Sequence, residues 1–207
     1  MAIEFQKTAY SGRFPEFWRG EAKVLPGGFK PAQTIANGTV VRRGTPLFVD
    51  FALRQAHICK SGLVLSGGTT TNPRVAKGNY FAVGDKVSKV GHYGASPSIS
   101  AIDTSNADYD VLTLSAAYTG LTADDVLVES TDYTAAAGQT AEVLAAPKYA
   151  PNAVLAAEEE FNGKGLPTFD AAYDAVVLYP ALTFPIVADW LNGFTLKSNP
   201  NILFIKQ

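Results

Sequence analysis

The chain has 207 residues, with 17 Lys and Arg against 19 Asp and Glu and a formal net charge of −2. This balance gives no basic field to attract nucleic acid, so we predict that the chain does not bind it. Only 17% of the residues are charged, below the usual value of about 25%, which indicates that another chain covers part of the surface. The single cysteine, Cys59, excludes an internal disulfide and fits synthesis in a reducing cytoplasm.

Residues 1–35 contain six aromatic side chains among Gly, Pro, Lys and Arg, without a regular hydrophobic period. The first residues lack the features of a secretory signal, and no apolar stretch reaches the about 18 residues that cross a membrane. We predict an extended N-terminal arm that lies across its own subunit or anchors onto a partner. Because aromatic residues and Arg dominate interface hot spots, the candidate interface residues are Arg13, Phe14, Phe17, Trp18 and Arg19.

Strand-like runs and turn signals alternate about every ten residues through residues 36–135, a spacing typical of a sandwich or barrel. Examples are the runs around Thr39–Val41 and Val111–Ser115, and the turn signal at Gly84–Asp85. Residues 79–118 have no helical period, and Thr122–Asp125 could begin one helical turn before the next strand. We therefore predict a mainly β protein whose central domain, at residues 36–135, is a small barrel- or sandwich-like unit.

Residues 136–207 form the third predicted segment, a C-terminal β region with one short helix that packs on the central domain. Pro185 near the start and Gly193 beyond the end predict that helix over Pro185–Leu191. The apolar run Ile202–Ile205 predicts a last strand. That strand is either buried on both faces or an edge strand covered by a partner.

Three stretches of this sequence resemble the head fibre or capsid decoration proteins of tailed bacteriophages of gut bacteria. They are ANGTVVRRGTPLFVD, GGTTTNPRVAKGNYFAVGDKV and SISAIDTSNADYDVLTLSAAYTG, and the likeness returns in the closing NPNILFIKQ. The resemblance implies a β-rich homotrimer on the exterior of a virion capsid, made in the bacterial cytoplasm. The implied partners are further copies of the chain and the major capsid protein, and the resemblance brings no catalytic motif.

Two groups of residues were weighed as metal sites, and neither predicts one. His57 and Cys59 would share a face of a strand, but the chain holds one Cys and two His in all, and zinc sites use three or four ligands. The second group is a set of four oxygen-bearing side chains close in sequence, Asp103, Asn106, Asp108 and Asp110. It lacks the central Gly and terminal Glu of a calcium-binding loop, and Asx turns explain these residues more simply. We predict no cofactor.

The sequence also lacks a nucleophile elbow and a phosphate-binding loop, so we predict a protein that is not an enzyme. The main alternative is a carbohydrate-binding adhesion module for host surface glycans. Its stacking rings would be Tyr93, Tyr109, Tyr118 and Tyr133. A weaker alternative is a carbohydrate-active enzyme, since a pair of catalytic carboxylates needs no sequence motif.

Overall fold

The computed structural model describes residues 18–26, 28–137, 141–162, 167–178, 182 and 185–205, with the backbone alone at 18–20. The fold is mainly β, as the sequence predicts, and its sheets curl into half-barrels. The strands are, in chain order, β1 (Trp18–Val24), β2 (Lys30–Pro31), β3 (Thr39–Val41), β4 (Pro46–Asp50), β5 (Gln55–Ile58), β6 (Ser61–Leu65), β7 (Arg74–Ala76), β8 (Val87–Lys89), β9 (Ile99–Asp103), β10 (Tyr109–Leu114), β11 (Val126–Glu129), β12 (Ala153–Leu155), β13 (Glu159–Phe161), β14 (Ala171–Leu178), β15 (Leu191–Asn192), β16 (Thr195–Leu196) and β17 (Asn199–Ile205).

The largest sheet has nine strands, in the order β15-β16-β17-β14-β12-β4-β5-β2, with β1 also paired to β14. Its neighbours are antiparallel except for the parallel pairs β14–β17 and β2–β5. The sheet combines strands from all three segments that the sequence analysis distinguishes, 1–35, 36–135 and 136–207. Their division into domains stays a prediction.

The second sheet has six strands from the central segment, in the order β8-β11-β6-β7-β10-β9, and β13 pairs separately with β3. Inward and outward side chains alternate along β10, where Asp110, Leu112 and Leu114 are buried. This period of two is the pattern expected of a strand with one face on a core. Leu112 packs there with Val75, Ile99 and Leu127.

The predicted C-terminal helix is a single three-residue 3-10 turn at Ala188–Trp190. The residues on either side are extended: Val187 has φ −75° and ψ 126°, and Leu191 already begins β15. Trp190 is buried in the core cluster that contains Ile202 and Phe204, so packing fixes this turn. Among the described residues, no helix is long and apolar enough to cross a membrane.

The last strand, β17, matches neither of the two alternatives taken from the sequence. It lies inside the nine-stranded sheet, parallel to β14 on one side and antiparallel to β16 on the other. Ile202 and Phe204 are buried, whereas Leu203 between them is exposed. The strand therefore has one core face and one outer face, and neither of its edges is open.

Candidate functional site: a buried ionic cluster

Four charged side chains meet at one end of the six-stranded sheet, and two of them are almost fully buried. Lys60 is 6% exposed and Glu129 is 3% exposed. The Nζ atom of Lys60 lies 2.6 Å from Oδ2 of Asp85 and 3.8 Å from Oε2 of Glu129. Lys148 completes the group, with its Nζ 2.6 Å from Oε1 of Glu129. We call these four residues the ionic cluster.

Strand pairing explains why residues so distant in sequence meet here. β11 lies between β6 and β8 and runs antiparallel to both, so the beginnings of β6 and β8 lie beside the end of β11. Lys60 directly precedes β6, Asp85 precedes β8, and Glu129 is the last residue of β11. The amide of Glu129 donates to the carbonyl of Lys60 at 3.1 Å, which fixes the register of the two side chains.

The other two members of the ionic cluster are also held by their backbones. The Asp85 carboxylate accepts a hydrogen bond from the amide of Ala82 at 2.7 Å across the turn at Gly84, which has φ +93°. A positive φ of this size suits Gly. The amide of Lys148 donates to the carbonyl of Glu129 at 2.9 Å, in addition to the side-chain contact. The cluster is therefore preorganised by the fold.

The ionic cluster is balanced in charge but leaves one buried oxygen without a hydrogen bond. Two lysines face two carboxylates, which offsets much of the cost of removing charges from water. Oε2 of Glu129 is buried, and no donor in the described part of the chain hydrogen-bonds to it. An unpaired carboxylate oxygen in a dry site is costly. It therefore needs a chemical explanation.

A group of three rings adjoins the ionic cluster. The ring of His57 stacks on that of Tyr149 at 4.3 Å, Phe48 stacks on Tyr149 at 5.7 Å, and Phe48 lies tilted to His57 at 6.1 Å. Lys148 links the two features, since its Nζ is 5.4 Å from the Tyr149 ring. Burial, and secondarily the charge of Lys148, lowers the pKa of His57 below its ordinary value. His57 is therefore neutral at pH 7.

Cys59 lies in the core beside the ionic cluster. Burial raises the pKa of its thiol well above the ordinary value, and the charge of Glu129 adds to the effect. Because the thiolate is the nucleophile and the metal ligand, this thiol is inert at neutral pH. In the part of the chain that the structure describes, no three His, Cys, Asp or Glu side chains are grouped to hold a metal ion.

The acidic loop after β9 is built from Asx turns. The side chain of Asp103 accepts from the amide of Ser105 at 2.9 Å, and that of Asn106 accepts from the amide of Asp108 at 2.8 Å. Asp110 is separate from this loop. It is buried, and its two oxygens contact Lys77 at 2.5 Å and Asn79 at 2.9 Å. Local backbone bonds and one ion pair thus account for these oxygens.

Protein groups engage the four tyrosines of the carbohydrate-binding alternative. Tyr118 is only 3% exposed, so its ring belongs to the core and offers no face to a sugar. The guanidinium of Arg74 lies 4.5 Å over the ring of Tyr109. The hydroxyl groups of Tyr93 and Tyr133 each donate to a carboxylate. Tyr118 therefore cannot serve as a stacking ring in that alternative.

Of the candidate interface residues, Arg13, Phe14 and Phe17 lie outside the described residues. Trp18 and Arg19 begin β1 and pair their backbones with β14. The end of the arm is thus a strand of its own subunit's sheet. The anchoring role of these five side chains stays a prediction.

A cleft of about 260 Å³ reaches Lys60 from the surface. It is lined by Gln33, Ile58, Lys60, Tyr80 and Phe81, among others. The polar atoms of Gln33 are already engaged, because its amide oxygen accepts from the Ile58 N–H at 2.7 Å and its amide nitrogen donates to the Ile58 carbonyl at 3.1 Å. The cleft is therefore a route to the ionic cluster more than a site with free polar groups.

Large apolar side chains are exposed at several loops and strand ends. Phe194, in the turn between β15 and β16, is 69% exposed, and the exposed Leu203 lies on the adjacent strand β17. We call these two residues the Phe194–Leu203 patch. Leu53 is similarly exposed in the turn between β4 and β5.

No motif in the sequence marks Lys60, Glu129 or Lys148 as a site residue. The sequence does contain one signal, a charged residue directly after a strand-like apolar run. Lys60 follows His57-Ile58-Cys59, and Glu129 follows Val126-Leu127-Val128. A charge in that position is expected to have a partner of opposite charge. Asp85 was assigned only to a turn. The pairing of the strands decides which charges meet, and residue spacing alone does not contain that information.

No family model, no curated protein and no solved structure matches this chain.

Proposed function

We propose that the chain is a non-enzymatic structural subunit of a virion, a head fibre or capsid decoration protein that assembles as a homotrimer on the capsid exterior. The resemblance of residues 36–130 and of the closing NPNILFIKQ to that family supports the proposal. The mainly β fold is of the kind that the resemblance implies.

The observation that carries the assembly part of the proposal is the Phe194–Leu203 patch. The amide of Phe204 donates to the carbonyl of Phe194 at 2.7 Å, so the backbone holds the turn of Phe194 against β17. Exposed large apolar side chains at a turn and on the strand next to it are typical of a contact surface. We place a neighbouring copy of the chain on this patch, where rotation about one axis closes a ring without an open edge.

Light scattering after size exclusion, at low micromolar concentration, tests the assembly. One chain has a mass of 22.0 kDa, so we expect a particle of about 66 kDa, three times that mass, as a cyclic trimer requires. A single species at the mass of one chain would contradict the proposal. Co-sedimentation with capsids that lack this protein then tests binding to the major capsid protein.

A further inference from the structure

We propose that Lys60 and Asp85 become joined by an intramolecular amide bond, which forms spontaneously once the chain has folded. Glu129 is the group that transfers the protons. The proposal is independent of the virion assignment, because it rests on the ionic cluster alone.

Proximity is the first argument. The Nζ atom of Lys60 lies 2.6 Å from a carboxylate oxygen of Asp85, and backbone hydrogen bonds of β6, β8 and β11 hold both residues in place. Two reactants fixed in this way behave as if they were present at effective molarities of about 10⁵ M or more. An amine and a carboxylate that do not react in dilute water are thus brought within bonding range.

The unpaired oxygen of Glu129 is the second argument. Oε2 lies 3.8 Å from the Lys60 nitrogen and has no hydrogen-bond donor among the described residues. Lys148 holds the other oxygen, Oε1, at 2.6 Å, so the free oxygen is directed at the reacting pair. A carboxylate beside a buried amine is suited to general acid–base catalysis once the two approach within hydrogen-bond reach.

The reaction balances within the three residues. The Lys60 ammonium carries three hydrogens, of which the amide keeps one. Glu129 Oε2 takes a first proton from Nζ, and the nitrogen lone pair attacks Cγ of Asp85. Nζ then gives up a second proton, and both protons pass through Glu129 to the departing oxygen. The C–N bond forms, one C–O bond breaks, and the remaining oxygen leaves with two hydrogens as water. No oxidant, reductant or cofactor takes part.

Burial supplies the driving force. The reaction replaces a buried ammonium and a largely buried carboxylate by one neutral amide, which removes the cost of holding two charges away from bulk water. The cleft that reaches Lys60 gives the released water a way out.

The pair Lys77–Asp110 is an internal comparison. Its nitrogen and oxygen are also close, at 2.5 Å, but Lys77 is 36% exposed and donates to the Thr104 carbonyl as well. The second oxygen of Asp110 accepts from Asn79, and no carboxylate is placed beside this pair in the ion pairs of the described residues as Glu129 is beside Lys60. We expect no amide bond there.

Intact-mass spectrometry of the purified chain under denaturing conditions is the test. We expect a mass below that of the sequence by one water, about 18 Da, because a covalent change survives unfolding. A tryptic digest should contain a branched peptide that joins residues 55–74, uncleaved at Lys60, to residues 78–86. The full sequence mass, or a water loss without this branch, would overturn the proposal.

Variants separate the roles of the three residues. Lys60→Arg and Asp85→Ala should each have the full mass that their sequence requires. Glu129→Gln keeps the shape and an oxygen for Lys148, and should also keep the full mass while circular dichroism shows the same β spectrum. Complete water loss in Glu129→Gln would overturn the role of Glu129. As a matched control, Asp110→Asn should still lose one water and yield the same branched peptide.

Discussion

His57 shows how a single side chain is controlled by its surroundings. Its Nδ1 atom is buried and has no hydrogen-bond partner in the described part of the chain, and its ring contacts those of Phe48 and Tyr149. Burial and the nearby positive charge of Lys148 oppose protonation, which is why its pKa is lowered. Its stacking with Tyr149 therefore belongs to the neutral form.

This environment predicts a loss of stability in mild acid. The pKa of His57 is lowered in the folded chain. As pH drops below the ordinary value of about 6.5, the unfolded chain therefore binds the proton first, and the free energy of unfolding decreases. The contribution is fully present above that value and is lost as pH falls through the folded pKa. His57→Gln should flatten the change in Tm between pH 7.5 and 5.5. The same substitution at the exposed His92 should leave it unchanged.

Gly62 is required for close packing in β6. A Cβ atom added there would lie 2.5 Å from Cγ1 of Val75 and 2.9 Å from Cε2 of Phe81. We expect Gly62→Ala to destabilise the fold by about 1–3 kcal/mol, since overpacking displaces both neighbours. Thermal denaturation followed by circular dichroism measures it. Gly94→Ala is the matched control, because nothing lies within 4 Å of that position, and an equal loss in both variants would contradict the packing argument.

At the scale of strands and turns, the positions of the strands are easier to predict from the sequence than the pairing between strands. Thr39–Val41 and Tyr109–Leu114 are strands because β-branched and apolar residues lie between turn formers. The helix expected over Pro185–Leu191 shortens to one 3-10 turn because Val187 and Trp190 are drawn into the core.

The ionic cluster cannot be predicted from the local pattern of residues in the sequence. Lys60, Asp85 and Glu129 are brought together by the register of β6, β8 and β11, and register depends on long-range pairing and not on the residues within one strand. The same holds for β17, whose single exposed face follows from its position between β14 and β16.

The proposed amide bond has a thermodynamic consequence for these elements. It would close a loop between residues separated by 25 positions, and a cross-link of this length stabilises by about 3 kcal/mol through the lost entropy of the unfolded chain. Wild-type chain should therefore unfold at a higher guanidinium concentration than Glu129→Gln. Equal midpoints for a cross-linked wild type and an unlinked variant would contradict this expectation.

At the scale of the whole molecule, the surface has few charges and several exposed apolar side chains. Interfaces of this composition depend on apolar burial and not on ion pairs, and an obligate one covers more than about 2,000 Å² in total. The nine-stranded sheet carries the Phe194–Leu203 patch, so we place the contact between subunits on that sheet.

If the proposed trimer forms through this patch, Phe194→Asp should dissociate it, because a carboxylate inside an apolar contact loses its water without a partner. Light scattering should then give the mass of one chain. Leu53→Asp is the matched control, since Leu53 is comparably exposed in a different turn and should leave the trimer intact. Salt should have little effect on the wild-type mass, as screening weakens charge contacts and not apolar ones.

The position of β14 determines the order in which this protein can be completed on the ribosome. β1 and β17 pair with the same part of β14 from opposite sides, with Arg19 and Leu203 both opposite Val176. The first partner precedes β14 in the chain and is synthesised before it, whereas the second follows β14 and is synthesised after it. A nascent chain that has not yet released residues 199–205 therefore has an open edge on β14, and this part of the nine-stranded sheet is completed only when translation has passed them.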